Sequence, residues 1–275
     1  MRSDPSRLRG ATAGRSLNGL RKLINRNVQA DMARNPKAKT SLTRSLREDV
    51  YDEIRRRILN STYEPGALLS ENVLAADLKI SRTPIREALR DLATSGLVKI
   101  LPQRGVAVSE LSLQDVIEVY QLREQLECFA IRLAASRVGL ADAEGFRADH
   151  KQAVEHMRAN RLMPAYDFSV LLHVRIIAMA RNSRLTAFMQ QLADQVHRFG
   201  LLTLRHGRAE HALLEHGHII DALVARDADE AETLMRAHLR ADRDMVLRLT
   251  LPAGMPDDDL LPALQLENVR VALGA

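Results

Sequence analysis

The chain has 275 residues, 46% of them hydrophobic and 27% charged, with no Trp, five Phe and four Tyr. That apolar share supports a packed core and excludes a disordered or collagen-like chain, while the single cysteine, Cys128, excludes an intrachain disulfide scaffold and suits a reducing compartment. No uninterrupted apolar run approaches the roughly 18 residues of a membrane span, and the net charge of +5 is concentrated at the N-terminal end, where residues 1–41 carry ten Lys/Arg against two Asp.

Residues 1–41 show no hydrophobic period and read as a basic, disordered arm suited to a polyanion. An Arg-rich organelle transit peptide and an internal start at Met32 are the alternatives. Residues 42–110 balance eleven basic against ten acidic side chains and read as a small domain. Leu46, Val50, Ile54 and Ile58 recur every four residues and predict a first helix. Glu64-Pro65-Gly66 forces a turn. Glu71 to Lys79 is a short second helix with Leu74, Ala75 and Leu78 inward. A third runs from about Arg82 to Thr94, with Thr83 as its cap, Pro84 at the first helical position and Gly96 at its end. Leu97–Leu101 and Val106–Val108 then predict two strands around Pro102-Gln103-Arg104-Gly105. Three helices and a β-hairpin make a winged helix-turn-helix.

Residues 111–250 carry breaks near Gly139, Asn160–Pro164, Asn182-Ser183, Gly207 and Asp227. They predict about six amphipathic helices, a bundle that opens on the start signal Ser112/Asp115. Residues 251–275, with Asp257-Asp258-Asp259, read as a tail. The fold class is mainly α: a winged helix-turn-helix, then an all-α six-helix bundle.

The third helix separates two faces at about 100° per residue. Ile85, Leu89 and Leu92 share one side, and Arg82, Thr83, Arg86 and Arg90 another. Arg can bridge guanine O6 and N7, and a Thr methyl can meet a thymine methyl. Arg104 at the wing tip is placed to follow the minor groove. On an arbitrary helix such arginines are a solvated face; in a helix-turn-helix they are groove readers. The segments Leu68–Leu78, Ser81-Arg82-Thr83-Pro84-Ile85-Arg86-Glu87-Ala88-Leu89-Arg90, Gly96-Leu97 and Arg104-Gly105 resemble the GntR family of bacterial transcription regulators. The resemblance implies operator contacts by Arg82, Thr83 and Arg86, with Gly105 turning the wing. The expected DNA-contact set is Asn72, Ser81, Arg82, Thr83, Arg86, Arg90, Arg104 and Gly105. The family usually has Arg where this chain has Asn72, so one charge-assisted contact is lost.

Of the nine His, His150, His156, His197, His206, His211 and His218 show no spacing that defines a site. His173, His216 and His238 each sit among apolar helical neighbours. Three on successive inward faces suit a divalent ion such as zinc or nickel; a lone one is more often a hydrogen-bonded core residue. Arg123-Glu124-Gln125-Leu126-Glu127, His173 before Asn182, and Glu215-His216 before Asp227 and His238 resemble the FCD domain that defines the FadR subfamily of GntR regulators. The resemblance implies a metal held by one Asp and three His beside a small carboxylate effector. The family places that Asp four residues before the first His, where this chain has Ser169. Arg123 is expected either to meet the effector or to pair with Glu124 or Glu127.

The sequence thus predicts a bacterial transcription regulator rather than an enzyme, most simply a repressor. The family resemblance implies a homodimer on a near-palindromic operator in double-stranded DNA, and the expected place of action is the cytoplasm, at the nucleoid. Its effector is expected to be a small organic or sugar acid in a compact polar cavity. The rival readings are a metal-dependent hydrolase and an architectural DNA binder with a degenerate effector site.

Overall fold

The computed structural model describes residues 46–59 and 62–251. The arm expected over 1–41 lies outside the described residues, as does the expected tail apart from Leu251.

Helix α1, Leu46–Leu59, buries Val50, Ile54 and Ile58, whereas Leu46 at its start stays exposed. After the turn at Gly66 come β1 (Leu68–Leu69), α2 (Glu71–Leu78) and α3 (Arg82–Thr94). Ser81, not Thr83, is the N-cap of α3, which puts Pro84 at the third helical position. That position tolerates proline equally well, because the first four helical N–H groups have no intrahelical acceptor. Ile85, Ala88, Leu89 and Leu92 form the buried stripe of α3, which packs on α1. The hairpin is β2 (Val98–Leu101) and β3 (Gly105–Val108). It gains a third strand: β1 pairs antiparallel with β3, Leu68 opposite Ala107 and Leu69 opposite Val106, giving the order β1-β3-β2. The wing tip turns through Gln103 (φ 60°) and Gly105 (φ 99°). No neighbour lies near the missing Cβ of Gly105, so its backbone angle, not space, favours glycine there.

Six helices follow: α4 (Leu113–Ala135), α5 (Leu140–Arg158), α6 (Leu162–Met179), α7 (Ser183–Arg205), α8 (Ala209–Val224) and α9 (Ala228–Thr250). Polar side chains start three of them. Ser112 accepts from the Asp115 amide at 3.0 Å, Asn182 from Leu185 at 3.1 Å and Asp227 from Glu230 at 3.0 Å. Each satisfies a donor the helix itself cannot. Helix α6 is long and apolar enough, at a mean hydropathy of 1.3, to cross a membrane. Here it is a bundle helix, packed against α4, α5, α7 and α8.

One core runs through the bundle, with Phe146, Leu172, Ile176, Ile219, Ile220 and Met235 nearly inaccessible. A second fills the winged helix and continues into Tyr166, Leu201 and Leu204 of the bundle. The two parts are therefore packed together, and polar groups reinforce the joint. Asp194 of α7 accepts hydrogen bonds from Tyr51 and Arg55 of α1, all three buried. Gly96, just past α3, lies against the Gln195 side chain, where a Cβ would collide.

Candidate functional site

Two regions carry the expected chemistry. In the first, α3 turns its polar face outward: Ser81, Arg82, Thr83, Arg86 and Arg90 are all exposed, as are Asn72, Arg104 and Gly105. Two of these arginines are held by a neighbour. Glu71, at the start of α2, accepts from Arg86 Nη2 at 2.9 Å and from Arg82 Nη2 at 3.2 Å. The same pairing holds the Glu71 carboxyl below its ordinary range. Both guanidiniums remain about half exposed. They are preoriented rather than consumed, and Arg's fork leaves donors free for a base edge or phosphate. Glu71 was read from the sequence only as part of a motif, because its partners lie 11 and 15 residues further on.

The second region is a cavity of about 560 Å³ inside the bundle. His173 of α6, His216 of α8 and His238 of α9 meet at one end of it. The Nε2 atoms of His173 and His216 are 3.3 Å apart, and those of His216 and His238 3.2 Å. Carboxylates hold two of the rings from behind. His173 Nδ1 bonds Glu127 at 2.5 Å, and His238 Nδ1 bonds Glu215 at 2.7 Å. A carboxylate at Nδ1 fixes the proton there, so Nε2 presents its lone pair inward. Burial first, then the neighbouring His238 and His173, push His216 well below its ordinary pKa and keep it neutral.

A proton on His216 Nε2 would satisfy only one of the two neighbouring lone pairs, whereas a cation among the three nitrogens would satisfy all of them. Zinc–nitrogen bonds of about 2.0–2.1 Å at tetrahedral angles place nitrogens about 3.3 Å apart. The donor set therefore fits a divalent metal, with Glu127 and Glu215 orienting two of its ligands.

Of the two roles weighed for Arg123, the structure shows the pairing with Glu127. The side chain lines the cavity, and its Nε donates to Glu127 at 2.7 Å. Burial works against the Glu127 carboxylate, but Arg123 and His173 overcome it and hold the group at about 2. Ser169 also lines the cavity, with its Oγ 3.4 Å from His216 Nδ1.

Three groups here were not singled out from the sequence. Arg208 donates to Glu215 at 2.6 Å and stands 3.2 Å from Asp242. Asp242 lies 3.6 Å from His238. His197, set aside as without a site, lines the cavity with Tyr166, whose hydroxyl is 2.7 Å from His197 Nδ1. The four-residue step from His238 to Asp242 was a usable signal, since it places both on one helical face. Arg208 offered none, following a glycine in a short connection.

The cavity also corrects the expectation of a compact polar pocket. Val170, Val174, Ile177, Met189, Ala193 and Val196 form much of its wall. Polar groups gather at the histidine end and, more than two turns along α6, at Arg181, Asn182 and Ser183.

A winged helix with an outward basic helix, packed against a helical bundle around a cavity, defines the class as a DNA-binding regulator. Comparison with known proteins agrees. Residues 46–108 match the bacterial regulatory proteins of the gntR family, and residues 118–241 match the FCD domain. A transcriptional regulator from an unstable DNA locus of Streptomyces ambofaciens is 31% identical, over 75% of this chain and 87% of that protein. The gluconate operon transcriptional repressor of Bacillus licheniformis is 30% identical, over 71% and 76% respectively. A GntR transcriptional regulator from Rhodococcus sp. RHA1 shares the fold at a TM-score of 0.62 and 22% identity, covering 74% of this chain and 97% of that one. The chain belongs to the GntR family of bacterial transcription regulators and carries an FCD domain. These relatives are regulators, not enzymes.

Proposed function

We propose that the chain is a metabolite-responsive repressor whose residues 42–110 read a near-palindromic duplex operator and whose residues 111–250 bind the effector and dimerise. The observation that carries this reading is the position of α7. One side of it lines the cavity through Val196, His197 and Gly200, while Asp194 on the same helix holds Tyr51 and Arg55 of the winged helix. A ligand that shifts α7 must therefore act on the DNA-reading unit. It changes operator affinity only so far as it binds the two arrangements with different free energy.

His173, His216 and His238 would hold a divalent ion, zinc or nickel by ligand type. Such an ion supplies a Lewis-acidic centre for one carboxylate oxygen. The charge around it suits a monoanion: Glu127, Glu215 and Asp242 face only Arg123 and Arg208, so a divalent cation reverses a deficit of one positive charge into a surplus of one. Arg123 would steer the carboxylate, with Ser169 beside it, and the apolar wall takes a hydrocarbon body. An organic acid with such a body fits the cavity better than a sugar acid. Leu122 and Phe129 support a homodimer: they lie two turns apart on α4 and are 51% and 48% exposed. The site of action is chromosomal DNA in the cytoplasm.

Two variants test the division of labour. Arg86→Ala is expected to weaken operator binding by about 1–3 kcal/mol while leaving metal content intact. His216→Ala is expected to abolish metal uptake and effector response while leaving operator affinity at the wild-type level. Unchanged DNA affinity and sequence preference in the first, or wild-type metal content in the second, removes the corresponding role.

A further inference from the structure

We infer that Asp242 is the carboxylate ligand of the histidine metal site, an assignment that rests on the metal reading above. The three Nε2 atoms converge at the cavity end, and an ion held there needs at least one more donor. Four oxygen-bearing side chains surround the cluster, and their positions separate them. Glu127 and Glu215 bond Nδ1 of His173 and His238, so they stand behind those rings. Ser169 likewise sits at Nδ1 of His216, and its hydroxyl turns to the Ala165 carbonyl at 3.4 Å. Asp242 alone faces an Nε2: its Oδ2 is 3.6 Å from His238 Nε2.

The state of Asp242 points the same way. Its side chain is 17% exposed, and Oδ1 is buried without a hydrogen bond. Arg208, the guanidinium within ion-pair distance, is shared, and Arg123 acts on the carboxylate from further off. Arg208 Nη2 bonds Glu215 at 2.6 Å, while its Nε, 3.2 Å from Asp242 Oδ1, makes no aligned hydrogen bond. A carboxylate largely withdrawn from solvent, whose nearest guanidinium is shared with Glu215, is suited to a metal as a further partner. The fixed four-residue step on α9 also presents Asp242 and His238 from one helical face, a common way to supply two ligands from one element.

The test uses the full chain stripped with a chelator and titrated with Co(II), read by its visible absorption and by competition for affinity. Asp242→Asn is expected to weaken Co(II) binding by more than the roughly 10–100-fold that loss of a group behind a ligand costs, and to change the band shape. Ser169→Ala is expected to change neither, and adding Ser169→Asp to Asp242→Asn to restore part of the lost affinity. Wild-type affinity and spectrum in Asp242→Asn overturn the assignment, provided His216→Ala abolishes binding. If His216→Ala also binds as wild type, the metal reading itself is what fails. Should Asp242→Asn not fold, Asp242→Glu keeps the charge and displaces the oxygens by one methylene. It is expected to alter the Co(II) spectrum, and an unaltered spectrum overturns the proposal.

Discussion

Burial sets the protonation of His197 more than any neighbour does. It lowers the imidazole from its ordinary 6.5 to about 3, and repulsion from Arg55 adds to the shift while Asp194 opposes it. The unfolded chain therefore takes up this proton before the folded one. The stability linked to His197 is complete above about pH 6.5 and is lost as pH falls from there towards 3. Chemical denaturation of the full chain should accordingly carry a contribution from His197 of about 1 kcal/mol per pH unit between pH 6 and 5, on top of that of His216, which burial also holds neutral. His197→Gln should lessen the slope by about that amount, and an equal slope in both proteins would contradict the role of burial. The carboxylates enter later: the window of Glu127 lies between its ordinary 4.5 and about 2. At this scale the sequence was legible where a residue's own helix told its story. His173, His216 and His238 announced themselves by polar rings among apolar neighbours. Arg208 and His197 did not, because what makes them part of the site is carried on other helices.

Elements were more legible than residues, and the exceptions have local causes. The six bundle helices begin and end close to the breaks that Gly, Asn, Asp and Pro predict: three starts have a side-chain acceptor, and Asn160, Arg181, Gly207 and Arg226 follow helix ends in the left-handed region. Strand β1 went unread because two residues cannot show an alternating pattern, and its pairing depends on Val106 and Ala107 of β3, 37 and 39 residues from their partners. The cap of α3 was misplaced by two residues because Ser81 and Thr83 are both good N-caps and proline is tolerated throughout the first turn. The joint between α1 and α7 was illegible, since Arg55 and Asp194 stand 139 residues apart. That joint is open to test. Asp194→Asn leaves a buried guanidinium without its carboxylate, so it should destabilise the protein by about 3–5 kcal/mol. Urea unfolding measures this, and a loss within about 0.5 kcal/mol, usual for exposed positions, would show that the joint bears little of the docking.

The whole molecule joins a DNA-binding surface to an interior cavity that, in the proposed reading, accepts a small anion. The size and apolar wall of the cavity could not be read from sequence, because volume emerges only when six helices are packed and their side chains fail to fill the space between them. The basic face of α3 could be read, because it lies on one helix. If the chain dimerises as proposed, two such faces are expected to recognise two half-sites related by a two-fold axis. The most direct measurement is selection of bound duplexes from a randomised pool by the purified full chain. The account predicts enrichment of a single inverted repeat, weakened by Arg86→Ala. Recovery of duplexes no different from the starting pool would contradict it.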